Sequence, residues 1–200
     1  MNLALGLFHF NPHWRANERS ANRHCTETLG PFLHALHSNP RWRVDIEISG
    51  SGLEFLQSGY PEQIRLLREL VHRGQVELIS ALYTPNIWIA FPRHDLEMSI
   101  ELNRRCLEKL GFPWNRIFFA QEAFFGEGVQ ALTEHFDIAV CKDDYLSYSY
   151  RVDLRHPCFR VGNMRVIVAS GHILKEIAFR HTTDAHFDQQ DLAPHRHDPQ

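Results

Sequence analysis

Apolar and polar positions along this chain repeat at two different spacings, and the points where one spacing gives way to the other mark its elements. Leu3 to Phe10 is almost unbroken apolar sequence closed by Asn11-Pro12, which predicts a first strand buried on both faces and stopped by proline. Between Arg19 and Ser38, Leu29, Phe32, Leu33 and Leu36 recur at helical spacing, with Gly30-Pro31 expected to kink or split the helix. Arg43 to Ser49 alternates and is β-branched, giving a second strand, and Gly50-Ser51-Gly52 reads as the turn after it.

The clearest helix is Pro61 to Arg73, with proline in its first turn, Ile64, Leu67, Leu70 and Val71 on one face, and Gly74 where a C-terminal cap belongs. Val76 to Ser80 follows as strand three. An aromatic-rich loop from Tyr83 to Pro92 leads into a long helix over Asp95 to Leu110, with Asp95 as its cap and Gly111 ending it. Arg116 to Glu122 is strand four, Gly128 to His135 a short helix, Ile138 to Lys142 strand five and Met164 to Ala169 strand six. A further helix is expected around Ile173 to Phe179. Strands alternating with helices at this spacing predict parallel βαβ units, whose functional residues collect at the C-terminal ends of the strands.

Composition narrows the class. A chain of 200 residues with 44% hydrophobic and 22% charged residues is globular, neither disordered nor membrane-embedded as a whole. The balance of 21 Lys+Arg against 24 Asp+Glu has no basic block to follow a phosphate backbone, so nucleic acid is not an expected partner. The first residues have no basic n-region or cleavage site, so the reading is a strand rather than a signal peptide, with no membrane partner and a cytoplasmic location. Cys25, Cys106, Cys141 and Cys158 form no CxxC pair and lie in apolar patterns, which predicts buried free thiols. The tail after residue 180, rich in His, Asp, Gln and Pro, is expected to be disordered or the start of something truncated.

The strand ends supply the candidate chemistry: His9, Asn11 and His13 after strand one, Glu77 in strand three, Gln121 and Glu122 closing strand four, Asp143 and Asp144 closing strand five. Glu122 ends an apolar run and precedes Phe124-Phe125, the setting of a carboxylate tuned in an aromatic cleft; by spacing alone it could equally cap the next helix. Asp143 and Asp144 suit a sugar hydroxyl, a cation or a plain turn, and adjacent strand residues point to opposite sides, so both do not serve one site. His9 and His13 find no third ligand at metal spacing, so no metal and no cofactor are expected. Trp14, Tyr83, Trp88 and Phe124 cluster near strand ends, where aromatic faces stack on sugar rings or simply pack.

The order of these pieces resembles the N-terminal part of the catalytic barrel of glycoside hydrolase family 57, the group of 4-α-glucanotransferases, amylopullulanases and branching enzymes. His9-Phe10-Asn11-Pro12 is similar to that family's first-strand His-Gln-Pro motif, and Val44 to Gly50 with Leu53-Glu54-Phe55-Leu56 to its second strand and Gly-x-Leu-Leu-Glu segment. Arg73-Gly74-Gln75-Val76-Glu77-Leu78 resembles its Gly-Gln-x-Glu strand, and Phe119-Ala120-Gln121-Glu122 the motif that carries the nucleophile. The resemblance implies an α/β fold, an incomplete (β/α)7-type barrel of parallel strands over residues 1–180, acting on an α-glucan or oligosaccharide.

It further implies Glu122 as the nucleophile of a retaining mechanism, with His9, Asn11, Trp14, Trp88, Phe124, Asp143 and Asp144 around the sugar. Two departures stand out. Phe10 falls where the family has a substrate-contacting His, which would turn His9 the other way along the strand, and Thr84 replaces a different polar residue in the Tyr-x-Pro loop. The family's Asp acid/base comes from a later strand, and no second carboxylate in these residues fills that place. A carbohydrate-binding remnant without turnover and a metal-dependent polysaccharide deacetylase are the rival readings. Open strand edges of an incomplete barrel would favour a homo-oligomer.

Overall fold

The structure is a computed structural model and describes residues 6–12, 17–119, 125–126, 128–143 and 158–169. Three strands, β1 (Leu7–His9), β2 (Val44–Glu47) and β3 (Val76–Ile79), pair in parallel in the order β1-β2-β3. A second sheet has the order β4-β5-β7-β6, from β4 (Ile117–Phe118), β5 (Ile138–Lys142), β6 (Cys158–Val161) and β7 (Met164–Ala169). Its pairs β4–β5 and β5–β7 are parallel; β6 is antiparallel to β7.

Alternation along each parallel strand separates two faces. Phe10, Ile46, Ile48, Val76 and Leu78 point into a layer of helices and are buried against Leu29, Leu33, Leu53, Leu67 and Leu70. The opposite face turns Leu7, Ile79, Ile117, Phe119 and Val140 toward one another, so the two sheets share an interior lined from β1, β3, β4 and β5. Asn115 ties them further, its amide donating to the Leu78 carbonyl at 3.0 Å. This is the geometry of a parallel barrel wall with helices outside it.

The helices are α1 (Glu18–Arg23), α2 (Gly30–Ser38), α3 (Gly50–Gly59), α4 (Pro61–His72) and α5 (Arg93–Leu110). Gly30-Pro31 does not split the first segment. A π-helical stretch over His24–Leu29 joins α1 to α2, the Gly30 N–H reaching back to the Cys25 carbonyl, and Pro31, which has no N–H to place, sits in the first turn of α2.

Gly50-Ser51-Gly52 is the start of a helix rather than a turn. Ser49 caps it by accepting from the Gly52 N–H at 3.2 Å. The glycines are there for closeness: a Cβ on Gly50 would lie 2.4 Å from Asn103 Oδ1, and one on Gly52 2.9 Å from Ile48 Cγ2. Helix α4 ends as expected, with Gly74 at φ +64°, the Gly74 N–H on the Val71 carbonyl and the Gln75 N–H on the Leu70 carbonyl. Helix α5 begins two residues before Asp95, which lies in its first turn near the positive end of the helix dipole instead of capping it.

Strands five and six of the sequence reading occur at their expected bounds, as β5 and β7. Strand β6 was missed, although Gly162-Asn163 between Val161 and Met164 carries the signal of a two-residue hairpin loop, with Gly162 at φ +56°. The short helix after β4 is a 3₁₀ segment, Val129–Glu134. Cys25, Cys106 and Cys141 are buried free thiols, but Cys158 is exposed because it lies on the antiparallel edge strand. No helix among the described residues is long and apolar enough to cross a membrane. The helix expected near Ile173 to Phe179 and the tail after residue 180 lie outside the described residues.

Candidate active site

The C-terminal ends of β1, β2 and β3 bring together His9, Glu47 and Ile79, with Phe119 directly after β4 and Asp143 directly after β5. The register sets the first three in one row: His9 pairs with Glu47, and Glu47 with Ile79. Because alternation sends His9 and Glu47 to the same side, the His9 Nδ1 meets the Glu47 carboxylate. The Phe119 ring lies 6.1 Å from the imidazole, and Phe119 packs on Ile79, so the pair is walled by apolar side chains.

Glu47 is only 6% exposed. Burial pushes its carboxyl above the usual carboxylate range, and the hydrogen bond and positive charge offered by His9 pull in the opposite direction. The same charge, added to burial, holds the His24 imidazole below its ordinary value.

This arrangement reverses one expectation. His9, not Phe10, is the inward residue of the first-strand motif. Phe10 is buried in the helix layer, its ring 5.7 Å from His24 and 5.5 Å from Phe32. The one-residue offset from the family motif predicts a flip, but the pleat decides the face, and the pleat puts His9 inside.

Trp88 is corrected too. It is 3% exposed, with its ring edge-on to Phe118 at 5.7 Å, so it belongs to the second-sheet core and offers no open face to a sugar. Asn11 and Asp143 are half-buried at the ends of β1 and β5. The Asp143 charge adds to burial in raising the Cys141 thiol to about 12. Tyr83 is tied down on both sides of its loop, its N–H donating to Ser99 Oγ at 3.1 Å and its hydroxyl to Glu54 at 2.8 Å. Thr84 donates to Asn86 Oδ1 at 2.8 Å, within the same loop.

His13, Trp14, Gln121, Glu122, Phe124 and Asp144 lie outside the described residues. Among the described residues no three His, Cys, Asp or Glu side chains gather as a metal site. Sequence reasoning missed Glu47. The available signal was an acidic residue at the C-terminal end of an alternating strand, directly across the parallel register from His9.

A parallel barrel wall with a His–carboxylate pair at its mouth defines the class of enzyme-like barrels that place polar groups above the strand ends. Comparison with known proteins gives the family. The model of glycosyl hydrolase family 57 matches residues 9–196, and the chain belongs to that family. Over 115 residues it is 35% identical to an alpha-amylase of Pyrococcus furiosus and 30% identical to a 4-alpha-glucanotransferase of Thermococcus litoralis. Each match covers 58% of this chain and 18% of the relative, so the chain spans less than a fifth of their length.

Among solved structures, the Thermococcus litoralis 4-alpha-glucanotransferase superposes with a TM-score of 0.74 at 22% identity, over 88% of this chain and 29% of that one. The branching enzyme of Pyrococcus horikoshii follows at 0.67 and 12% identity, over 84% and 47%. At such identities the likeness establishes the fold, a barrel of this family's kind.

Proposed function

We propose that this chain carries the nucleophile side of the sugar site in an enzyme that hydrolyses or transfers α-glucan chains with retention of configuration. The observation that carries the proposal is the family match across residues 9–196, which includes Phe119-Ala120-Gln121-Glu122 directly after β4. Phe119 faces the interior beside His9, and three further residues bring the chain to Glu122, which acts as the nucleophile at the anomeric carbon.

His9, Asn11 and one of Asp143 and Asp144 contact sugar hydroxyls, and Trp14 and Phe124 offer stacking faces. Retaining chemistry needs a second carboxyl about 5 Å from the first to protonate the leaving oxygen. Glu47 does not suit that role, because it is buried and engaged with His9. The acid/base is assigned to a carboxyl outside the described residues.

The test is covalent trapping with an activated 2-deoxy-2-fluoro maltosyl fluoride followed by intact-mass measurement. A single added glycosyl group in the wild-type chain, absent in Glu122→Gln, is expected. Equal labelling of both proteins would overturn the assignment of Glu122. Saturable maltooligosaccharide binding with no adduct on either would favour a sugar-binding barrel without turnover.

A further inference from the structure

The row of inward residues on β2 contains a carboxylate where a barrel wall ordinarily carries an aliphatic side chain. Glu47 stands in register with Ile79, and its neighbour Phe119 is equally apolar. Placing a carboxylate there is unfavourable unless a partner compensates it. Among the described residues His9 is its one hydrogen-bond and ion-pair partner. The contact is made at Nδ1, and the backbone reinforces it: the Phe10 N–H donates to the Glu47 carbonyl at 2.9 Å, locking the two strand ends in register.

We infer that Glu47 is a positioning residue: its buried carboxylate accepts the Nδ1–H of His9 and thereby fixes which edge of the ring, that bearing Nε2, is presented to a sugar hydroxyl. The inference rests on the sugar-site reading of His9 given above. A carboxylate accepts hydrogen bonds and donates none, so it selects the ring form with hydrogen on Nδ1. With Nδ1 committed, Nε2 of the neutral ring is an acceptor for a hydroxyl proton. The His9 side chain is one-third exposed (33%) whereas that of Glu47 is 8% exposed, which is the order required of a group that meets ligand and a group that orients it.

The test reads the ring without any sugar. In the ¹⁵N-histidine-labelled full chain, with the His9 signals assigned by their loss in His9→Asn, the pair of nitrogen shifts reports which nitrogen carries the hydrogen. At pH 8 the wild type is expected to show hydrogen on Nδ1. Glu47→Met, which keeps the length and removes the acceptor, is expected to move the ring toward hydrogen on Nε2, and Glu47→Gln, whose amide oxygen still accepts, to restore the wild-type pattern. Should Glu47→Met not fold, Glu47→Asp withdraws the carboxylate by one methylene and carries the same test.

Unchanged His9 shifts in folded Glu47→Met, or in Glu47→Asp where it replaces Glu47→Met, would overturn the inference. Maltohexaose titration then reads the consequence: about a tenfold loss of affinity in Glu47→Met and less than about threefold in Glu47→Gln. If the wild type binds no maltohexaose, the sugar-site reading fails, while the shifts still decide whether Glu47 orients His9.

Discussion

Strand β2 carries two inward carboxyls one alternation apart, Asp45 and Glu47, and the two ends of the barrel treat them in opposite ways. At the mouth, Glu47 is buried and faces a histidine, so the effect of burial on its carboxyl is opposed by an attractive partner. At the base, Asp45 pairs in register with Glu77, and both burial and the neighbouring negative charge push its carboxyl above the usual range. Arg43 lines the same basal cleft of about 200 Å³, with Gln75 and Glu77. Its guanidinium donates to the Pro40 and Trp42 carbonyls at 2.8 and 3.1 Å, so that charge is turned to the preceding loop. Among the described residues, one strand thus presents a compensated carboxylate where parallel barrels do chemistry and an uncompensated one where they do not. The lesson is that an inward acidic residue marks a site only when the register supplies its partner.

The residue between them tests whether the strand has two faces at all. Ile46 lies on the helix side, fully buried among aliphatic side chains. Ile46→Ala should cost about 3 kcal/mol in urea unfolding, the ordinary cost of lost burial plus the cavity left behind. A loss below about 1 kcal/mol would mean that Ile46 is not packed as described.

Next in size is His9→Ala, which strands the Glu47 carboxylate and should cost about 2 kcal/mol at pH 8. With His9 gone, burial alone acts on Glu47 and raises its folded-state value further. A carboxyl so raised contributes stability at acid pH and loses it as pH rises through the folded value, so the deficit should shrink toward pH 4. A deficit independent of pH would break the mouth half of the comparison.

What could be read from the sequence follows from which forces act locally. Strands β5 and β7 and helix α4 were legible because period, caps and β-branching agreed within each segment. Gly50 to Gly52 was misread because its glycines answer to Asn103 and Ile48, contacts made by elements distant in sequence or hidden in the capping geometry. Asp95 was misplaced as a cap because the helix begins earlier, after Pro92, with no side chain capping it.

The site was legible in part for a related reason. A motif locates His9, but only the register of β1 on β2 shows that it faces inward and that Glu47 stands beside it. Trp88 was read as a sugar platform by its position in an aromatic loop; its burial depends on Phe118, a packing that no local pattern encodes. The two sheets differ likewise. The first buries aliphatic residues under full helices, the signal that periodicity reports best, whereas the second uses aromatics, a 3₁₀ segment and an antiparallel hairpin.

The smallest expected effect lies at the base and has the opposite sign. Asp45 is half-buried, and its carboxyl is raised first by that burial and then by Glu77. Its folded value therefore exceeds its unfolded one. The stability linked to its proton is present below the unfolded value, about pH 4, and is lost as pH climbs through the raised folded value. At pH 7 the charged form is a small liability, which Asp45→Asn removes while keeping shape and hydrogen-bonding capacity. The variant should be more stable than wild type at pH 7 by less than about 1 kcal/mol, the limit that solvent screening sets for a partly exposed group. The two proteins should converge near pH 4, where Asp45 itself takes up the proton. Urea midpoints of both across that range decide the point: a loss of stability at pH 7 would show that Asp45 has a compensating partner after all, and the contrast between mouth and base would reduce to a difference in depth.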